Sequence, residues 1–345
     1  MPRSHSDLWN RIIDWSNLLR SYHEARRGKR YKAEVLRFEE CLEENLTNIH
    51  NHLVWSSWSP GPWREFWVAD PKPRLIQAPP FPDRVVHHAL VDVVEPLFEQ
   101  KMIKDSYACR PGKGTHGAVS RLQAMLRRAR RQWGEVYALK ADISKYFPSI
   151  NHDRLLQILA RTIRDPDALW LCERIIRGGG FESRGIPVGA LTSQLFANVY
   201  LDQLDHQVKD YLGVKRYVRY MDDFVILGRS KAELWELLDQ LQDYLAIDLG
   251  LSLNPKTAIL PASKGINFAG YRTWSTHILP RKRNIKRTRR SFRSLARSYA
   301  VGEIGLDYIE PRVMSFLGYV QHCNARRTTQ SVLNELVLSR SGSSH

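Results

Sequence analysis

Up to about Asn51 the apolar positions recur at helical spacing. Ile12, Ile13, Trp15, Leu18 and Leu19 share one side, and after a basic turn at Arg26-Arg27-Gly28-Lys29-Arg30 the set Val35, Leu36, Phe38, Leu42, Leu46 and Ile49 repeats the pattern. Prolines 60, 62, 71, 73, 79, 80 and 82 then separate short strand-like pieces such as Glu65-Phe66-Trp67-Val68. Residues 83–103 and 117–131 read as helices. Val136–Asp142 reads as a partly alternating strand that ends in an acid. Asn151–Ile163 is helical with Leu155, Leu156, Ile158, Leu159 and Ile163 inward, and residues 192–211 form another helix. Lys215–Tyr220 and Phe224–Leu227 are β-rich runs joined through Met221-Asp222-Asp223, the pattern of a hairpin, and Lys231–Leu249 is an amphipathic helix. The mixture predicts an α+β architecture.

Residues 281–297 hold nine basic side chains and no acid, interrupted by Ile285, Phe292 and Leu295, which suits a helix packed on one side and charged on the other. The tail after Leu338 is expected to fray. Neither an internal repeat nor a low-complexity linker is present. Over 345 residues, 43% are hydrophobic, enough for a sizeable core and against global disorder.

Charge points to the partner. Fifty-two Lys and Arg against 36 Asp and Glu give a net charge of +16, which favours a polyanion held by phosphate contacts and counterion release. Cys41, Cys109, Cys172 and Cys323 stand singly with no C-x-x-C pair, so neither a zinc site nor a disulfide framework is expected, and a reducing cytoplasm fits. The opening MPRSHSDLWN lacks the apolar run of a signal peptide, and no stretch approaches the ~20 apolar residues of a membrane span.

The candidate chemistry lies in carboxylates set within apolar strands: Asp142, and the pair Asp222-Asp223. Acids at the end of a buried sheet are costly unless paired or metal-bound. If the two strands are neighbours, three acids converge on one edge. Hard oxygen donors of that kind suit Mg²⁺ and phosphoryl transfer. Taken alone, Asp222 would serve equally as a turn residue and Asp142 as a helix cap.

Tyr220-Met221-Asp222-Asp223, followed by Phe224-Val225-Ile226-Leu227, resembles the signature hairpin of reverse transcriptases. The remaining motifs of that family follow in order: Lys72-Pro73-Arg74-Leu75-Ile76, Tyr107 through His116, Asp142-Ile143-Ser144-Lys145-Tyr146-Phe147-Pro148-Ser149-Ile150, Gly250 through Thr257, and Ile266-Asn267-Phe268-Ala269-Gly270-Tyr271. The likeness covers roughly residues 65–275. Where intron-encoded, retron and retroviral relatives usually carry Gln-Gly followed by three residues and Ser-Pro, this chain has Val188-Gly189-Ala190-Leu191-Thr192-Ser193-Gln194. That departure resembles the reverse transcriptases of diversity-generating retroelements, phage and bacterial systems that diversify a target gene.

The resemblance implies a right-hand polymerase fold, with an N-terminal helical extension at 1–60, fingers and an antiparallel-sheet palm at 61–275, and a basic helical thumb at 276–345. It implies RNA-directed, error-prone DNA synthesis mutagenic at template adenines, with two Mg²⁺ ions (Mn²⁺ as a substitute) and deoxynucleoside triphosphate substrates. Asp142, Asp222 and Asp223 would be catalytic, and Asp142, Ile143, Asp222 and Asp223 would form the metal set. Lys72 and Arg74 would neutralise the triphosphate. Phe147 would lie under the sugar and exclude a 2′-hydroxyl, unless it is simply a core aromatic. Val188 would replace a polar contact to the nucleotide and blur fidelity, unless it only packs. Gln194 and Ser193 follow the motif or cap a helix, and Lys256 would act near the leaving pyrophosphate. The implied partners are template RNA, the cDNA and its primer, and a basic, oligomeric accessory variability protein, with no membrane. The alternatives are another prokaryotic reverse transcriptase of group II intron, retron or antiphage type, and a non-catalytic nucleic-acid binder on the same scaffold.

Overall fold

The computed structural model describes residues 7–69, 73–179 and 182–340. These form helices and antiparallel sheets, as the α+β reading expects. Nine strands are present among the described residues: β1 (Arg64–Val68), β2 (Arg74–Ala78), β3 (Tyr137–Asp142), β4 (Tyr217–Tyr220), β5 (Asp223–Gly228), β6 (Ala258–Pro261), β7 (Ile266–Phe268), β8 (Tyr271–Thr273) and β9 (Ile278–Pro280).

The chain divides into two compact units. The first comprises Met1–Arg110, Asp142–Val214 and Asp239–Pro255. Its centre is the Phe81–Glu99 helix, against which the Trp15–Ala25 and Leu191–His206 helices pack. The Leu191–His206 helix buries twelve of its sixteen residues, so it is a core helix rather than a surface one. It continues past His206 as a wider π-turn, Gln207–Tyr211, and the Lys231–Tyr244 helix ends in the same way at Leu245–Leu249. The first helix breaks at Asp14. Its carboxylate accepts from the Ser16 and Asn17 amides and starts a new helix with a shifted face. Leu18 and Tyr22 therefore go inward while Trp15, expected inside, is 42% exposed. β1 and β2 form an antiparallel hairpin, Phe66 opposite Ile76 and Val68 opposite Arg74.

The second unit comprises Pro111–Ala141, Lys215–Leu238 and Lys256–His345. Its main sheet has the order β4-β5-β3-β6, with the Thr115–Trp133 helix packed on β4 and β5. β7, β8 and β9 make a separate three-stranded sheet. The basic run forms the Lys282–Ala300 helix, which buries Phe292 and Leu295 with Ile309, Phe316, Val320 and Val332 of the two helices that follow it. Tyr271 is buried. Trp274 is half-buried and stacks on His277 with ring centroids 4.4 Å apart.

Candidate active site

Tyr220 pairs with Asp223 at the end of the β4/β5 ladder, so Met221 and Asp222 form a two-residue turn. Met221 has φ +55, a left-handed conformation costing roughly 1 kcal/mol or more for a residue with a side chain. Such strain persists only where neighbours over-determine it. Arg219, fully buried in β4, donates from Nη1 to the Met221 carbonyl at 3.0 Å. Thr115 Oγ1 donates to the Tyr220 hydroxyl at 3.0 Å, tying the strand to the start of the Thr115–Trp133 helix. Phe224, Val225, Ile226 and Leu227 anchor β5 in the core. Asp222 and Asp223 themselves remain partly accessible.

Asp142 is the last residue of β3, a strand position and not a helix cap. The Asn254 amide donates to its carbonyl at 2.7 Å, and Asn254 Nδ2 reaches its Oδ2 at 3.3 Å. The next residues continue as a bridge, Ile143 opposite Leu253 and Ser144 N–H to Ser252 O at 2.8 Å. β3 is the direct neighbour of β5 in the main sheet. Asp142 is the last residue of β3, and Asp223 is the first of β5.

Lys145 takes a left-handed φ of +44 and turns the chain into the short Tyr146–Ser149 helix. Tyr146 is buried, whereas Phe147 is only half-buried, and its carbonyl accepts from Ile186 at 3.0 Å. The Val188 side chain is also half-buried, and the Val188 carbonyl accepts from the Gln77 amide of β2 at 3.1 Å. Gly189 follows at φ +129. A Cβ there would stand 3.0 Å from Ile76 Cγ2 and 3.2 Å from Gln77 O, so only glycine fits against the hairpin. Ser193 is buried and Gln194 exposed within the first turns of a helix whose cap position is Ala190, so neither is the cap. Thr192 Oγ1 meets His87 Nδ1 at 3.1 Å, and burial lowers the pKa of His87 to about 3. Arg74 is exposed at the start of β2, and Lys256 is exposed ahead of β6. Lys72 lies outside the described residues.

Beside the hairpin, a cavity of about 370 Å³ is lined by Lys29, Lys32, Arg64 and Arg84, together with Glu34. Glu34 is paired to Arg84 at 2.9 Å. Positive charge therefore concentrates in this cavity.

Three residues escaped the sequence reading. Arg219 was visible only as one more basic letter in an apolar strand. Asn254 sits in a loop whose partner is 112 residues away. Lys140, whose Nζ meets Asp223 Oδ1 at 2.9 Å, carried one available signal: it precedes Asp142 by two residues and so shares its strand face.

The donor set is carboxylate oxygen, which suits a hard divalent cation. Among the described residues no group of three or more His, Cys, Asp or Glu side chains is placed so that it could hold a metal ion. Mg²⁺ uses one or two carboxylates plus waters and substrate phosphates in preference to an all-protein cage, so these residues fit such an ion. No helix of the described residues is long and apolar enough to cross a membrane.

Protein YkfC of Escherichia coli is 25% identical over 273 residues, covering 67% of this chain and 71% of YkfC. The group II intron-encoded protein LtrA of Lactococcus lactis is 23% identical over 302 residues, and the match covers 66% of this chain but only 49% of LtrA. Among solved structures, apo telomerase of Candida tropicalis truncated from its C-terminal domain superposes with a TM-score of 0.50 at 13% identity, over 67% of this chain and 59% of that one. The RNA-bound telomerase of the same organism gives 0.51 at 12% identity, over 81% and 53%. These structural likenesses speak for the polymerase fold. Residues 69–273, well over half of the chain, match the family described as reverse transcriptase (RNA-dependent DNA polymerase), and the chain belongs to that family of RNA-directed DNA polymerases.

Proposed function

We propose that the chain copies an RNA template into DNA, with Asp142, Asp222 and Asp223 as its catalytic carboxylates. The observation that carries this reading is the adjacency of β3 and β5, which start or stop at these acids inside a reverse transcriptase domain. Reverse transcriptase domains work with divalent metal ions. Two Mg²⁺ ions, or Mn²⁺ in their stead, would activate the attacking 3′-oxygen and stabilise the leaving pyrophosphate. Asp142, Asp222, Asp223 and the backbone carbonyl of Ile143 would hold them.

The other residues take roles by position. Arg74, with Lys72, would grip the triphosphate, since guanidinium forks match phosphate geometry. The half-buried Phe147 leaves a ring face for the sugar and would reject a 2′-hydroxyl. Gln194 and Lys256 would contact nucleotide and pyrophosphate. The cationic cavity beside β1/β2 and the Lys282–Ala300 helix would hold template and duplex through phosphate, without reading sequence. In this assignment fingers, palm and thumb correspond to 61–275 and 276–345, preceded by the helical extension 1–60.

At the finer level we propose an error-prone enzyme of a diversity-generating retroelement, working with a basic, oligomeric accessory variability protein. Val188 supports this reading: an aliphatic side chain at a partly accessible position cannot donate or accept a hydrogen bond to a nucleotide. Losing one orienting contact of about 1 kcal/mol narrows the margin between right and wrong nucleotides. The likeness to LtrA favours an intron-type enzyme as the rival.

One experiment addresses both levels. Primer extension on an RNA template with Mg²⁺ and deoxynucleotides should give cDNA with wild type and none with Asp222→Asn. Sequenced cDNA should carry substitutions concentrated opposite template adenines, and Val188→Gln should reduce them. Equal synthesis by both proteins sinks the carboxylate assignment; uniform errors leave an intron-type enzyme.

A further inference from the structure

Lys140 is absent from every role assigned above. In β3 the partly accessible positions include Lys140 and Asp142, while Ala138, Leu139 and Ala141 are buried, so the lysine and the acid share a strand face. The Lys140 ammonium crosses to the neighbouring strand and meets Asp223 Oδ1 at 2.9 Å. Both side chains are largely shielded, at 23% and 20% exposure, so bulk water screens this pair less than a surface one. Neighbouring carboxylates such as Asp222 and Asp223 repel each other unless a nearby cation compensates their charge. A divalent ion gives that compensation in the loaded enzyme.

We propose that Lys140 is a positioning residue that serves as a stand-in cation for Asp223, holding its carboxylate oriented before the divalent ion binds and yielding it afterwards. The proposal rests on the carboxylate reading above. Two consequences follow from electrostatics. The ammonium raises the cost of bringing a second positive charge to the same carboxylate, so the resident lysine weakens metal affinity. It also stabilises the metal-free chain, because the acids then carry their own counter-charge. An ordinary cross-strand ion pair, by contrast, contributes little and leaves metal affinity untouched.

The test titrates the full chain with Mn²⁺ alone, without template or nucleotide, reading free Mn²⁺ by electron paramagnetic resonance and thermal stability in parallel. Lys140→Met keeps the aliphatic stem and removes the charge; it should bind Mn²⁺ about fivefold more tightly than wild type, the scale of one unit charge a few Å away in a partly hydrated site. In chelator it should melt below wild type, with Mn²⁺ closing the gap. Lys140→Arg should restore wild-type affinity. Lys140→Gln repeats the measurement if the methionine variant does not fold. Equal or weaker Mn²⁺ binding in a folded, uncharged variant overturns the proposal. Asp222→Asn separates the two levels. If it binds Mn²⁺ as wild type does, the carboxylate reading falls and this proposal with it; if it loses binding while Lys140→Met is unchanged, only the role of Lys140 falls.

Discussion

The hairpins β1/β2 and β4/β5 are both short antiparallel pairs, yet they meet solvent in opposite ways. Every residue of β1 is exposed, Trp67 by 70%, and Phe66, Val68 and Leu75 stay outside the core. In β5 every residue after Asp223 is buried, and Arg219 and Thr115 fix the turn from behind. The metal and phosphate role proposed for Asp222 and Asp223 would need a backbone that cannot drift, and here strain at Met221 is held by buried contacts. A hairpin that would greet template and triphosphate needs accessible side chains, and it is tethered mainly at one point, where Val188 and Gly189 lie against β2.

The strongest way to break this comparison is Asp222→Asn. It should lower cDNA synthesis about a thousandfold, the scale of several kcal/mol of lost charge stabilisation, while thermal melting stays cooperative. Next comes Arg219→Met. Removing a charged donor from a fully buried site should cost about 3 kcal/mol in denaturant unfolding, with activity falling alongside. If that variant is as stable as wild type, the turn is not held as described.

Gly189→Ala tests the exposed hairpin's tether and should cost about 2 kcal/mol, since the new methyl meets Ile76 and Gln77 at a left-handed φ. Acid sharpens the same region. His87 is neutral in the folded chain, its pKa lowered to about 3, whereas the unfolded chain takes up a proton near pH 6.5. Its contribution is therefore complete above pH 6.5 and shrinks as pH falls from there towards 3, by up to about 1.4 kcal/mol per pH unit. His87→Gln should flatten that slope in a pH series of melts. The smallest effect belongs to Trp67→Ser, expected within about 0.5 kcal/mol of wild type.

Much of this was legible because the signals were local. The alternation ending at Asp142, the Met221-Asp222 turn and the apolar stripe in the basic run each lie within a few residues, and all three became the expected elements. The break at Asp14 was equally local but overlooked: a capping aspartate in mid-pattern resets the helical face, which put Trp15 outside. Arg219, Asn254 and Lys140 could not be found the same way. Their roles depend on strand order and on contacts made far along the chain, such as Asn254 to Asp142. Small strands such as β7 to β9 are too short for periodicity to register. The basic letters at Lys72 and Arg74 drew attention through family likeness, which says where a motif lies and not what its side chains touch.

The rung between Val188 and Gln77 uses only main-chain atoms, so it survives whatever side chain position 188 carries. With that side chain half in solvent and the adjacent glycine carrying the steric constraint, the position can be saturated with all amino acids while the loop keeps its register. On the fidelity role proposed for Val188, copying accuracy would become a dial on a fixed frame, and one library at a single codon would yield a graded set of error rates.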